Sequence, residues 1–95
     1  MAEVVFSFGK AAHAQGSGIL AGQPRVTEAE SGGSATTATA NTGDICRAKA
    51  TSGNSYVAVA PPGTTVTSAN GWRINDGDVI EMACQPGDVG IQVDV

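Results

Sequence analysis

Gly77-Asp78-Val79-Ile80-Glu81-Met82-Ala83-Cys84-Gln85-Pro86-Gly87-Asp88-Val89-Gly90-Ile91-Gln92-Val93-Asp94-Val95 is the stretch that decides the fold class. Two alternating runs flank a Gly87-Asp88 turn signal. Val79 to Cys84 puts Ile80, Met82 and Cys84 on one face and Glu81 on the other. Gly90 to Val95 puts Ile91, Val93 and Val95 inward, with Gln92 and Asp94 outward. Successive strand residues point to opposite faces, so this period of two is the pattern of a half-buried strand. The alternation reaches Val95, so that end is expected to be pinned in a sheet.

Working back from this stretch, the same reading continues. Asp44 to Ala50 carries Cys46, Ala48 and Ala50 on one face and Ile45, Arg47 and Lys49 on the other. Tyr56 to Ala60 is a compact run closed by Pro61-Pro62-Gly63. Thr64 to Thr67 and Gly71 to Ile74 are shorter extended pieces. Turn signals recur at roughly 8–12-residue intervals, which predicts an all-β small sandwich or barrel. Gly43-Asp44-Ile45, Gly77-Asp78-Val79 and Gly87-Asp88-Val89 all read Gly-Asp-aliphatic. Glycine permits the positive φ of a tight turn and aspartate accepts from local backbone N–H groups, so recurrent turn chemistry explains the repeat.

Upstream of Gly43 the composition changes. Gly9 to Thr42 is mostly Ala, Gly, Ser and Thr. Val4-Val5-Phe6-Ser7-Phe8 is strand-like and is the densest apolar patch of this half. Ala11 to Gln15 has room for one helical turn before Gly16 and Gly18 stop it, and Arg25 to Glu28 suits an extended segment. Ser31-Gly32-Gly33-Ser34 reads as a flexible joint. Thr and Ala alternate from Ala35 to Asn41, as in an edge strand with small side chains. The division expected is therefore residues 1–42 as an extended, low-complexity N-terminal arm and residues 43–95 as a small β domain.

A domain of this size buries only about 60% of the surface its unfolded chain exposes, so support from partner subunits is expected. Phe6, Phe8, Tyr56 and Trp72 are the only aromatics, and much of the 41% hydrophobic fraction is alanine. With so little else to fill an interior, Trp72 is expected as a core anchor, which turns Arg73 toward solvent or a neighbour. The formal net charge of −4 comes with no basic stripe, so no nucleic-acid partner is expected. No long apolar run spans a membrane. Met1 to Lys10 lacks a basic segment followed by an apolar one, so no secretory signal and a cytoplasmic synthesis are expected.

Tests for chemistry return structural readings. Asn75-Asp76-Gly77-Asp78 has alternate oxygen ligands, but position twelve from Asp76 is Gly87 rather than the glutamate of a calcium loop. A β-turn is the expectation, and no metal or cofactor is expected. His13 lies in an Ala/Gly segment, unsuited to the ordered base of a nucleophile pair. Gly16-Ser17-Gly18 lacks the lysine and the strand–helix context of a phosphate cradle. Cys46 and Cys84 are expected free and buried, as small hydrophobes in a reducing compartment. No catalytic residue is expected, and the chain is read as not an enzyme.

Residues 43–95 resemble the small β-rich virion structural proteins of tailed bacteriophages, the decoration, cement and head-associated type. The resemblance rests on Gly-Asp-Ile-Cys-Arg-Ala at 43–48, Ser-Tyr-Val-Ala-Val-Ala at 55–60 and Trp-Arg-Ile-Asn-Asp-Gly-Asp-Val-Ile at 72–80. It implies a non-enzymatic protein of the virion, assembled in host cytoplasm. Such a protein binds the major capsid protein or neighbouring virion subunits and forms a homo-oligomer, a trimer or dimer. The arm is expected to lie across adjacent shell subunits, adding strands to exposed edges. The expected interface residues are Val4, Val5, Phe6, Phe8, Ile19, Leu20 and Arg73. For Val4 to Phe8 the competing expectation is the first strand of the chain's own sheet. The alternative function is a receptor- or glycan-binding knob with Trp72 and Tyr56 as stacking residues. A carrier-type barrel-sandwich domain needs a modified lysine at a hairpin tip, whereas Lys49 falls on a strand and Lys10 in the arm.

Overall fold

Strand pairing extends into the N-terminal half, where large side chains are few. The computed structural model describes residues 2–14, 17–20 and 24–95, with the side chains of 11–14 and 17–20 outside that description. The elements are β1 (Glu3–Ala14), β2 (Ser17–Leu20), β3 (Val26–Ser31), β4 (Asp44–Ser52), β5 (Ser55–Ala60), β6 (Trp72–Ile74), β7 (Val79–Ala83) and β8 (Val89–Asp94). They form two antiparallel sheets, β2-β1-β4-β7 with β3 also on β1, and β6-β5-β8. The all-β class and the small two-sheet sandwich agree with the sequence reading.

The role of Val4 to Phe8 differs from the leading expectation. β1 lies between β3 and β4, pairing Phe6 with Glu28 on one side and Ala48 on the other. Val4, Phe6 and Phe8 point inward with 0%, 0% and 1% exposure, while Val5 and Ser7 are half-buried on the outer face. Val4, Phe6 and Phe8 are therefore core residues and not an interface. The compact unit starts at Ala2, itself buried, rather than at Gly43. Three inward β1 side chains, with Cys46, Ala48, Ala50, Val57 and Ile74, make the main core. Small alanines on β4 leave the room that the two phenylalanine rings occupy. The part of residues 1–42 that runs past the sheet is narrower than expected. β4 ends its pairing at Lys10↔Asp44, and beyond it Ala11–Ala14 pair with β2 as a ribbon.

β8 reverses the expected faces. Gly90 faces the other sheet, because a Cβ built on it would lie 2.5 Å from Phe6 Cδ1. Gln92 shares that face and is fully buried. Its Nε2 donates to Ser55 Oγ and Asp94 Oδ1, and its Oε1 accepts from Gly33 N–H. Val89, Ile91 and Val93 instead form a second cluster with Val66, Tyr56, Ala58 and Ala60. Residues 61–71 bring Val66 over this outer face, so Thr64 to Thr67 is a cover and not a strand. Val95 is 58% exposed rather than inward.

The Gly-Asp repeat is one device used three times. In Asn41–Asp44, Asn75–Asp78 and Gln85–Asp88 the aspartate N–H donates to the carbonyl of the first residue. The aspartate Oδ2 accepts the first residue's N–H in return. Gly43, Gly77 and Gly87 hold φ of 83°, 88° and 90°. Glycine is required there because a Cβ is disfavoured at positive φ.

Ala35 to Asn41 is a strap rather than a regular strand. It crosses from β3 to the edge of β8 through the bridge Ala35↔Ile91 and the bonds Thr36 N→Gly90 O and Ala40 N→Asp88 O. Glu28 fastens it by accepting from Thr37 N–H, Thr37 Oγ1 and Ala38 N–H. Arg25 Nη2 donates to Thr39 O and to Asp44 Oδ2, the latter at 2.6 Å. Burial alone pushes the Asp44 carboxyl up, but the Asn41 N–H, Arg25 and Lys10 outweigh it and hold the group below the ordinary carboxylate range. For Glu28 the same opposition ends in the same direction, through Ala38 and Thr37. A carboxylate with a lowered folded pKa stabilises fully above its unfolded value, and that contribution is lost as pH falls through the folded one. Acid is therefore expected to loosen the strap progressively below about pH 4, the ordinary carboxylate value. Asp44→Asn should cost roughly 1–3 kcal/mol at neutral pH and flatten the acid limb of a urea-stability profile. An unchanged limb would count against the clamp.

Candidate interaction surface

The sandwich is closed on one side and open on the other. On the closed side the strap covers the β8 edge. On the open side β6 ends one sheet and β7 ends the other. Both are short, at 3 and 5 residues. Between them runs an open groove of about 540 Å³, lined by Val59, Trp72, Arg73, Ile80, Glu81 and Met82 among others.

Register explains each position. Trp72 pairs with Val57 and Ile74 with Ser55, so Trp72 shares the inward face of β6 with residues that are fully buried. Yet Trp72 is 68% exposed, the largest side chain left in solvent. It overhangs the place where the facing sheet stops. This corrects the expectation of a core anchor, a place that Phe6 and Phe8 fill. On β7, Ile80 and Met82 pair with the buried Ala48 and Cys46 and are themselves half-buried. Arg73 and Glu81 point away from the core on the two lips and are exposed. Arg73 Nε donates to Asn75 Oδ1, and Glu81 lies across from Arg47 on β4.

Of the interface residues expected from sequence, Arg73 alone lies in this groove. Ile19 and Leu20 are on β2 of the ribbon, and their side chains, like that of His13, are outside the described residues. The signal for Trp72 was the shortness of the extended piece Gly71 to Ile74, set between Asn70 and the Asn75-Asp76-Gly77 turn. So short a strand marks a sheet edge, where an inward side chain need not be covered.

Among the described residues no group of three or more His, Cys, Asp or Glu is placed to hold a metal. No buried side-chain nitrogen or oxygen among them lacks a partner. Asn75–Asp78 is spent on its own turn. The cysteines are free. Cys46 is buried, and Cys84 is half-buried, more open than expected. Burial, then the neighbouring Cys84, pushes the Cys46 thiol far up. Burial, then Asp44 and Asp88, pushes Cys84 up to about 11. Since the thiolate is the nucleophile, neither should label in native protein at neutral pH. Cys84 should begin to label near pH 11, and Cys46 only on unfolding. Fast labelling of Cys46 at pH 7 would contradict its place in the core.

The chain matches no protein-family model, no curated protein and no solved structure.

Proposed function

We propose that the chain is a non-enzymatic structural protein of a virion, of the capsid decoration or cement kind, acting as a homo-oligomer. The observation that supports this reading is the ribbon, in which Ala11–Ala14 pair with Ser17–Leu20 beyond the start of β4. A two-stranded ribbon is marginal in water by itself and gains from a surface to lie on. Small side chains let its backbone approach a shell subunit closely, and several copies multiply weak contacts. Ile19 and Leu20 are the large apolar residues in its sequence. Phe6 and Phe8 play no part in attachment, because they hold the chain's own core.

Co-sedimentation of the purified protein with stripped heads of its own phage tests this. Ile19→Asp with Leu20→Asp should abolish binding, with circular dichroism confirming that the variant is folded. Undiminished binding would remove the ribbon from the mechanism, and no binding by the natural chain would remove the shell. One observation favours a second reading, a receptor- or glycan-binding knob: the uncovered indole of Trp72 beside Arg73. Saturable quenching of Trp72 by oligosaccharides would support it.

A further inference from the structure

We propose that the open β6/β7 side is where a second copy of this chain docks, about a two-fold axis running along the strands. The proposal deepens the oligomeric part of the proposed function and does not depend on the shell.

Three observations point to this occupant. First, the chain protects the β8 edge with a strap but leaves the β6/β7 side with its largest side chain in solvent. The short β6 and β7 already blunt their backbone edges, so what stays uncovered on this side is the indole. Second, the surface holds both a knob and a recess. Trp72 projects from the β6 lip, and Val59, Ile80 and Met82 floor the groove beside it. Third, the lips differ in charge, with Arg73 on β6 and Glu81 on β7.

A two-fold contact is self-complementary, in that residue i meets residue j and j meets i. Rotation about an axis along the strands sets the β6 lip of each copy on the β7 lip of the other. Each Trp72 then enters the groove of the second copy, and each Arg73 meets the second copy's Glu81. Within each copy Arg47 is the cross-strand neighbour of Glu81. An axis across the strands would instead place Arg73 on Arg73 and Glu81 on Glu81. The charges therefore select the first arrangement, because opposed lips fix register and like charges suppress alternatives. A buried indole with an arginine beside it is the kind of pair that dominates interface energetics.

The experiment uses the purified full-length chain without shells. Sedimentation equilibrium and Trp72 emission are followed over a range of concentrations. A dimer is expected, with the emission moving to the blue and becoming shielded from acrylamide as the dimer forms. Trp72→Ala should be monomeric. Arg73→Glu alone and Glu81→Arg alone should each raise the dissociation constant by at least roughly tenfold, a change of about 1.4 kcal/mol. The double variant Arg73→Glu/Glu81→Arg should regain most of the loss, which simple surface damage cannot do. Arg73 bonds Asn75 and Glu81 lies across from Arg47 within the single chain, so each variant's thermal midpoint is read alongside. Recovery of the dimer by the double variant is the readout that a change in monomer stability does not give. A monomer at every concentration, an oligomer that leaves Trp72 open to acrylamide, or a double variant no better than its parents would each overturn the proposal. A dimer that ignores phage heads would leave this surface standing and remove only the shell.

Discussion

Deletion of residues 1–30 is expected to abolish folding, with no cooperative transition in urea or on heating. The deletion removes all of β1 and nearly all of β3. β1 runs between β3 and β4, so β4 loses its partner along the register from Glu3↔Ser52 to Lys10↔Asp44. Val4, Phe6 and Phe8 go with it, and these are among the largest fully buried side chains. Losing one buried phenylalanine to alanine costs about 3–5 kcal/mol, and whole-domain stability is only about 5–15 kcal/mol. Two such losses with a valine and a sheet partner exceed what remains. Glu28, which fastens the strap, is lost as well. Far-ultraviolet circular dichroism and a urea titration of the 31–95 fragment decide the matter. A sharp transition near the full-length midpoint would mean that residues 43–95 form the domain after all.

Phe6→Ala is expected to destabilise the full chain by about 3–5 kcal/mol. Phe6 is fully buried in the main core and is the side chain against which β8 packs. The counterpart is Gly90, whose φ is not positive, so its requirement is space. A Cβ there would meet the Phe6 ring at 2.5, 2.7 and 3.0 Å. Gly90→Ala must displace a ring held by the core, an overpacking cost of about 1–3 kcal/mol. The two positions share one volume, so they should not add. Phe6→Leu/Gly90→Ala is expected to be less destabilised than the sum of its singles by roughly 0.5–3 kcal/mol in a double-mutant cycle. Additivity within error would show that the sheets do not meet at this pair. The same variants separate core from interface for Phe6, because a contact to another subunit would leave the monomer's stability unchanged.

Much of the fold was legible because its signals are local. Each Gly-Asp turn needs a positive φ and a carboxylate within four residues, and both are visible in the chain. The faces of β4 and β7 were readable because one side of each carries charge: Arg47 and Lys49 on one, Glu81 on the other. The candidate surface was legible through Arg73 and, in the alternative reading of a knob with stacking residues, through Trp72. Ala35 to Asn41 looked like a strand because its Thr/Ala alternation is a strand pattern. Its hydrogen bonds go instead to Glu28, Arg25 and β8, partners that no local pattern reveals.

By itself the sequence determined the all-β class, the positions of the C-terminal strands, the turns that separate them and the phase of each alternation. These follow from backbone sterics and a side-chain period of two, which act within a few residues. Only the tertiary structure decided which neighbour each face meets. Val4, Phe6 and Phe8 became core because β1 pairs with a strand some forty residues away. Ile91 and Gln92 exchanged the expected sides because Val66 covers the outer face and Phe6 leaves Gly90 no room for a side chain on the inner one. Trp72 stayed in solvent because the facing sheet ends at β7. A period of two defines two faces but not which is covered, since that depends on what the rest of the chain lays over them.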